Sequence, residues 1–270
     1  MRLNFDTGKL LFEFVVFIIF FIILLPIIVI IVISFNPAGF ILPPSGMTLK
    51  WYIMALSNRN FVNGAYVSFL VAIMSSGIST ILGTITSFAL VRYRFKGREF
   101  FNTFFMLPLI IPMITIGLSV FIFSYKLGID KSLFILVMGH ALITTPFSIR
   151  AISASLQNYD RSLEEAAINI GLHPMKAVVW ITLPIIKVGI ISGMLMCFII
   201  SWNNFTFSIF FTSPKWTTIP IELMAHIKYA SDPSATAISG LLIFISFVFI
   251  ILISRFGGLE RIMNIYNKKA

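Results

Sequence analysis

The sequence predicts an all-α integral membrane protein with about six transmembrane helices, and three observations predict it. The first is composition. Of 270 residues, 58% are hydrophobic and 11% charged, with 29 Phe, and the mean hydropathy is +0.99. A soluble domain is about half apolar and about a quarter charged, so this chain needs lipid as a solvent for its apolar surface. The second is a series of apolar runs of about 20 residues, the length that crosses a bilayer as a helix. The third is a one-sided gathering of Lys and Arg at the ends of those runs.

The runs fall at about 13–34, 65–90, 103–124, 132–154, 188–211 and 235–254. The first is too long for a signal-peptide core and lacks a small-residue cleavage site, so it counts as a span. Its Glu13 is tolerable near the interface or against another chain. Pro108, Pro112 and Pro146 are expected to kink their helices, because a mid-helix proline frees a carbonyl and bends the axis. The fourth run is the least regular, with His140, Thr144, Thr145 and Pro146. His140 allows two readings: a proton relay or a hydrogen-bonded structural histidine. Cys197, the single cysteine, lies in an apolar run and forms no internal disulfide; it is expected to be a small core residue.

The bases set the orientation. One side collects fourteen: Arg2 and Lys9, the run Arg92 to Arg98, Arg150, Arg161, Lys176 and Lys187, then Arg255, Arg261, Lys268 and Lys269. The other collects six: Lys50, Arg59, Lys126, Lys131, Lys215 and Lys228. The richer side is expected to be cytoplasmic, which with six spans puts both termini inside. The net charge of +10 is then a consequence of topology, and no nucleic-acid partner is expected. Loops at about 35–64 and 212–234 face outside; their Trp51, Tyr52 and Trp216 are interfacial anchors or a docking surface. No repeat or long linker divides the chain, so residues 1–270 are expected to form one transmembrane domain with a core of about 65–254.

Between the fourth and fifth runs lies a polar cassette, within 156–187, whose centre reads RSLEEAAINIGLHPMKAVVWITLP (161–184). Ser162 and Glu165 have capping-box spacing, and Glu164 and Glu165 suit the positive end of a helix dipole. Ala166 and Ala167 extend the helix with little bulk. Gly171 is expected to end it in the left-handed conformation, and Pro174 to open a second helix. The cassette thus reads as a short helix, a sharp turn and a second helix that feeds the fifth span. Small residues on the first helix let another backbone come close, so it has the form of a docking knob. An amphipathic helix lying on lipid is the other reading, but two acids and no basic face suit an anionic leaflet poorly.

The run EAAINIG, followed by nine residues and ITLP, resembles the EAA motif of permease subunits of binding-protein-dependent ABC importers. Glu165, Ala166, Ala167, Gly171, Ile181, Leu183 and Pro184 carry the likeness. RYRFKGREFFNTFFMLPLIIP (92–112) and TIPIELMAHIKYASDPSATAISGLLI (218–243) extend it, and from about residue 34 the chain resembles the spermidine/putrescine-type permease. The resemblance implies a type I importer (MetI-like) architecture in an inner membrane, with a cytoplasmic EAA coupling helix. It implies that Glu165, Ala166, Ala167, Gly171, Leu183 and Pro184 couple to an ATPase subunit. It also implies the partners: a second permease, identical or different, two ABC ATPases and an external solute-binding protein.

No G-x-x-x-x-G-K-[ST] run occurs, so the chain has no phosphate cradle of its own; it is expected not to be an enzyme and to hold no cofactor, ATP and Mg²⁺ being bound by the partner ATPases. No Cys/His set has zinc spacing. A secondary carrier would want ionisable residues within its spans and often an inverted repeat; a membrane enzyme would want a clustered nucleophile, base or metal set. The cluster Ser201, Trp202, Asn203, Asn204, read as lying inside the fifth span, is either interhelical glue or, with Phe205, a lining of the solute pathway. Polyamine-type permeases tend to carry acids there, and this chain has Asn203 and Asn204. The resemblance implies a polyamine-like organic cation as the solute, and the two amides keep a carbohydrate or other polar solute as the alternative.

Overall fold

The computed structural model describes residues 7–256 except 42 and 231, and it leaves the side chains of residues 7, 9, 10 and 253 undescribed. Both chain termini, with Arg2, Arg261, Lys268 and Lys269 of the charge count, lie outside the described residues, as does the side chain of Lys9. The described residues form helices and connecting loops. In order these are α1 (Thr7–Phe35), α2 (Lys50–Ser57), α3 (Arg59–Arg92), α4 (Arg98–Ile110), α5 (Met113–Lys126), α6 (Leu133–Gln157), α7 (Ser162–Asn169), α8 (Pro174–Ala177), α9 (Leu183–Ile185), α10 (Lys187–Trp202), α11 (Ile219–Tyr229) and α12 (Ser234–Phe256). A π-helical turn, Val178–Thr182, joins α8 to α9, and a 3-10 turn, Ser208–Phe210, follows α10. Among the described residues four helices are long and apolar enough to cross a membrane, and up to six spans result when each of two bent helix pairs counts as one.

The described residues group into two compact units: those up to 62 with 223–244, and 63–222 with those from 245 on. In the first unit α1 turns nearly all its apolar side chains outward, and none of its most apolar stretch is buried. Such a helix is satisfied only by lipid or another membrane chain. Its end is fixed by Asn36, fully buried, whose amide donates to Gly39 O at 2.9 Å and Ile41 O at 2.6 Å. The Asn36 side-chain oxygen accepts from the backbone of Ala38 and Ser45, and the Trp51 indole donates to Asn36 O at 2.8 Å. Trp51 is buried, which corrects its reading as an interfacial anchor: the ring closes a loop, because an indole N–H placed inside needs an acceptor. Tyr52 likewise meets Ser34, Oη to Oγ at 2.8 Å.

In the second unit α6 is the central element, buried along most of its length. It starts where the Ser132 Oγ accepts from Ile135 N, an N-cap. Its threonines satisfy themselves inside the span: Thr144 donates to His140 O at 2.8 Å and Thr145 to Ala141 O at 2.7 Å, as a hydroxyl surrounded by apolar matter must. Neighbouring helices approach through glycines. A Cβ at Gly83 of α3 would run into Ser148 of α6, and one at Gly189 of α10 would run into Ser155. Small residues at such crossings let backbones come within packing distance. Val67, Val71, Ile116, Leu136, Ile143, Phe207 and Phe211 form one apolar core, with Trp216 half-buried against it. Cys197 is fully buried with its thiol on Thr144 O at 3.2 Å, the small core residue expected.

Two spans differ from their sequence reading. The third is broken: α4 and α5 meet at 102°. Ile111 takes an extended conformation immediately before Pro112, the N-cap of α5, because proline disfavours helical geometry in the residue before it. Pro108 and Pro146 lie inside α4 and α6. The fifth helix ends at Trp202, well short of residue 211, so Asn203 and Asn204 follow the helix. The two loops at about 35–64 and 212–234 contain α2 and α11.

Candidate functional site

The cassette folds as a short helix, a turn and a second helical run, and its end is sharp for a definable reason. Gly171 sits at φ +98°, a region glycine enters without penalty. Its N–H donates to Ile168 O at 2.9 Å, and Leu172 N–H donates to Ala167 O at 3.1 Å. This pair of bonds is the Schellman arrangement, which satisfies the last carbonyls of α7. His173 then caps the next helix, its Nδ1 accepting from Met175 N at 3.3 Å, and Pro174 occupies the first helical position. The π turn leads through Leu183 and Pro184 to Ile186, where the run bends by 68° into α10.

The start of α7 corrects the capping-box reading. Arg161 is already helical, and its carbonyl accepts from both Glu164 N and Glu165 N at 3.1 Å. Ser162 therefore stands inside the helix, and its side chain caps nothing. Instead Asp160 accepts from Ser162 N at 3.0 Å, which holds the Asp160 carboxyl below its usual range. Glu165 pairs on the surface with Arg161 at 3.2 Å.

The two adjacent acids face opposite ways. Glu165, Ala166 and Gly171 are exposed, with Leu163 and Ile170 beside them; Ala167 and Leu183 are half-buried, and Pro184 is exposed. Glu164 is buried, and its carboxylate accepts both arms of Arg92, Nη1 at 2.7 Å and Nη2 at 2.6 Å, and the hydroxyl of Thr182. Burial acts to raise the Glu164 carboxyl, but the hydrogen bonds from Arg92 and Thr182, with the charges of Arg92 and Arg161, outweigh it and hold the group below the usual carboxylate range. Neither Arg92 nor Thr182 stands out in the sequence as a site residue. The only signal was an arginine at a span end and a second acid in front of the motif.

The residues read as pathway lining divide in the same manner. Trp202, the last residue of α10, is buried and stacks on Phe198 with centroids 6.0 Å apart. Its indole N–H has no hydrogen-bond partner among the described residues. Asn203 is exposed and donates to Ile199 O and Ser246 Oγ, both at 3.1 Å. Asn204 is buried, accepts from Phe207 N at 2.8 Å and points its amide at Met113 Sδ. Phe205 is half-buried between them and the 3-10 turn. Behind this bend, His140 places Nδ1 2.7 Å from Ser201 Oγ and Nε2 3.0 Å from Ser208 Oγ.

Several helices long and apolar enough to cross a membrane, with an exposed, glycine-terminated helix between two of them, define a multi-pass membrane protein. Its fold is similar to that in the solved structure of a bacterial ABC transporter involved in the import of the acidic polysaccharide alginate, with a TM-score of 0.69 at 18% identity, over 94% of this chain and 96% of that one. Residues 79–258 match the family of binding-protein-dependent transport system inner membrane components, and the chain belongs to that family. It is similar to the spermidine/putrescine transport system permease protein PotC of Escherichia coli K12, 28% identical over 220 residues, 82% of this chain and 83% of that protein. It is also similar to the putrescine transport system permease protein PotI of the same strain, 29% identical over 219 residues, 78% of each chain.

Proposed function

We propose that this chain is one of a pair of permease subunits, identical or different, in an ATP-driven importer of a polyamine-like organic cation. As one membrane domain it forms half of the translocation pathway, with both termini and α7 on the cytoplasmic side. Two ABC ATPase subunits bind ATP and Mg²⁺ and dock on the exposed face of α7, where Glu165, Ala166, Ala167 and Gly171 meet them, with Leu183 and Pro184 carrying the contact toward α10. An external solute-binding protein delivers the solute. The observation that carries the docking role is the outward face of α7: a small, acidic surface ended by a left-handed glycine, with no chain of its own packed on it among the described residues. The likeness to PotC and PotI supports the solute class, and Phe205, half-buried at the bend after α10, offers an aromatic face that suits a cation.

The test is reconstitution of the complete importer in proteoliposomes. ATP-dependent uptake of putrescine or spermidine is expected, and uptake of a sugar with no response to either amine would overturn the solute class. Gly171→Arg strains the positive-φ turn and fills the docking face, so copurification of the ATPase is expected to be lost. Normal copurification and uptake in that variant would overturn the docking role.

A further inference from the structure

We infer that Arg92, Glu164 and Thr182 form an internal clamp that makes the docking helix α7 move with the end of α3 and the π turn, with Arg92 as the positioning residue. The inference rests on the docking role proposed for α7. An eight-residue helix holds no fixed place by its own stability. Most of α7 is exposed, so apolar packing fixes it weakly. Glu164 is its one buried residue.

The grip on Glu164 comes from two elements at once. Arg92 is the last residue of α3 and reaches the carboxylate with both arms, and its Nη2 also donates to Thr182 Oγ1 at 3.2 Å. Thr182 ends the π turn and donates to the same carboxylate. The side chains of Arg92 and Glu164 are 11% and 6% exposed. The guanidinium lies over Phe88 at 4.7 Å and near Tyr159 at 5.9 Å. Below it, Ile152, Leu156 and Ile186 pack with Phe88, Val91, Tyr159 and Leu183. A forked pair fixes direction as well as distance, and a buried carboxylate that loses its partner is strongly disfavoured. A push on α7 therefore reaches α3 directly and α10 through the π turn. A π turn inside a helical run is a feature often found where a helix serves function.

Glu165 and Glu164 thus split the work: the first faces the partner, the second ties the knob to its own chain. Lysine at position 92 keeps the charge but has no fork to bind both carboxylate oxygens and Thr182.

The experiment uses the whole importer in proteoliposomes, with Arg92→Lys, Glu164→Gln and Thr182→Val beside the exposed control Arg94→Ala. Copurification of the ATPase subunits and the amount of solute moved per ATP hydrolysed are measured together. Arg92→Lys and Glu164→Gln are expected to copurify like wild type and to move about fivefold less solute per ATP or worse, with a smaller loss for Thr182→Val and none for Arg94→Ala. An unchanged ratio in a copurifying Glu164→Gln complex overturns the clamp. So does loss of the ATPase from a folded Glu164→Gln chain, which would make Glu164 a docking residue. If Gly171→Arg abolishes copurification while Glu164→Gln leaves the ratio intact, the docking role stands and the clamp alone fails.

Discussion

The imidazole Nδ1 of His140, on α6, lies 2.7 Å from the hydroxyl of Ser201, one residue before the end of α10. The other ring nitrogen meets Ser208 in the 3-10 turn at 3.0 Å, and Ser75 of α3 donates to the same Ser201 hydroxyl at 3.0 Å. One fully buried histidine therefore stitches together α3, α6, the end of α10 and the turn beyond it. Its ring stands edge-on to Phe207, centroids 5.5 Å apart. With both nitrogens held by hydroxyls, the structural reading of His140 has the geometry in its favour.

Replacing His140 by alanine is expected to take one hydrogen bond each from Ser201 and Ser208, which keep Ser75 and Asn204 O as partners, and to open a void against Phe207. Each lost hydrogen bond contributes about 0.5–1.5 kcal/mol net, and the void adds to that. The midpoint of thermal unfolding of the purified variant should fall, and uptake should fall with it. An unchanged midpoint would contradict the stitching role.

Gly189→Leu is expected to prevent tight association of α10 with α6. A Cβ at that position already collides with Ser155 and comes within 3.1 Å of the Ala151 carbonyl, so backbone would have to move. Overpacking of this kind costs about 1–3 kcal/mol or more. Size-exclusion profiles of the solubilised variant should show a loss of monodisperse protein relative to wild type.

Acid should weaken the anchoring of α7. The Glu164 carboxyl is held below its ordinary value of 4.5 by Arg92 and Thr182 despite burial. A group with a lowered folded value contributes stability that is fully present above its unfolded value and is lost as the pH falls through the folded one. Stability of the wild type should therefore drop as pH falls below the ordinary carboxylate range, and the acid limb of the Glu164→Gln variant should be flatter. Thermal midpoints measured across acid pH for both proteins check this; parallel curves would contradict it.

These cases show what a one-dimensional reading reaches. Spans such as α1 and α12 are legible because about twenty mostly apolar residues in a row allow few other solutions, and the Gly171 turn is legible because a glycine followed closely by His-Pro leaves the chain little choice. A kink at Pro112 is legible, but its size is not: α4 and α5 meet there at 102°, while Pro108, which looks the same in the sequence, stays inside a helix. The pairing of Arg92 with Glu164 spans 72 positions, and no local pattern encodes it. The capping box failed for a related reason: Ser162 has the right spacing, but the tertiary pull on Glu164 goes with a helix that starts one residue earlier. Likewise Trp51 looks like an interface anchor until Asn36 offers it a carbonyl.

The last prediction separates Asn203 from Asn204. Asn204 is buried and caps the bend after α10 by accepting from Phe207 N. Phe207 is itself fully buried and rests on Gly139, where a Cβ would collide with its ring. Asn204→Ala removes that acceptor from an enclosed N–H, so it should lower the unfolding midpoint and reduce uptake only in proportion to folded protein. Asn203 is exposed beyond the helix end, held by Ile199 O and Ser246, and its amide oxygen can turn to a passing solute at little structural cost. Asn203→Ala should therefore leave the midpoint near wild type and lower putrescine uptake per mole of folded importer. Uptake unchanged in Asn203→Ala would return this amide to the role of a helix-end tie between α10 and α12. Uptake lost per mole of folded protein in Asn204→Ala, with the midpoint unmoved, would place the inner amide on the pathway instead.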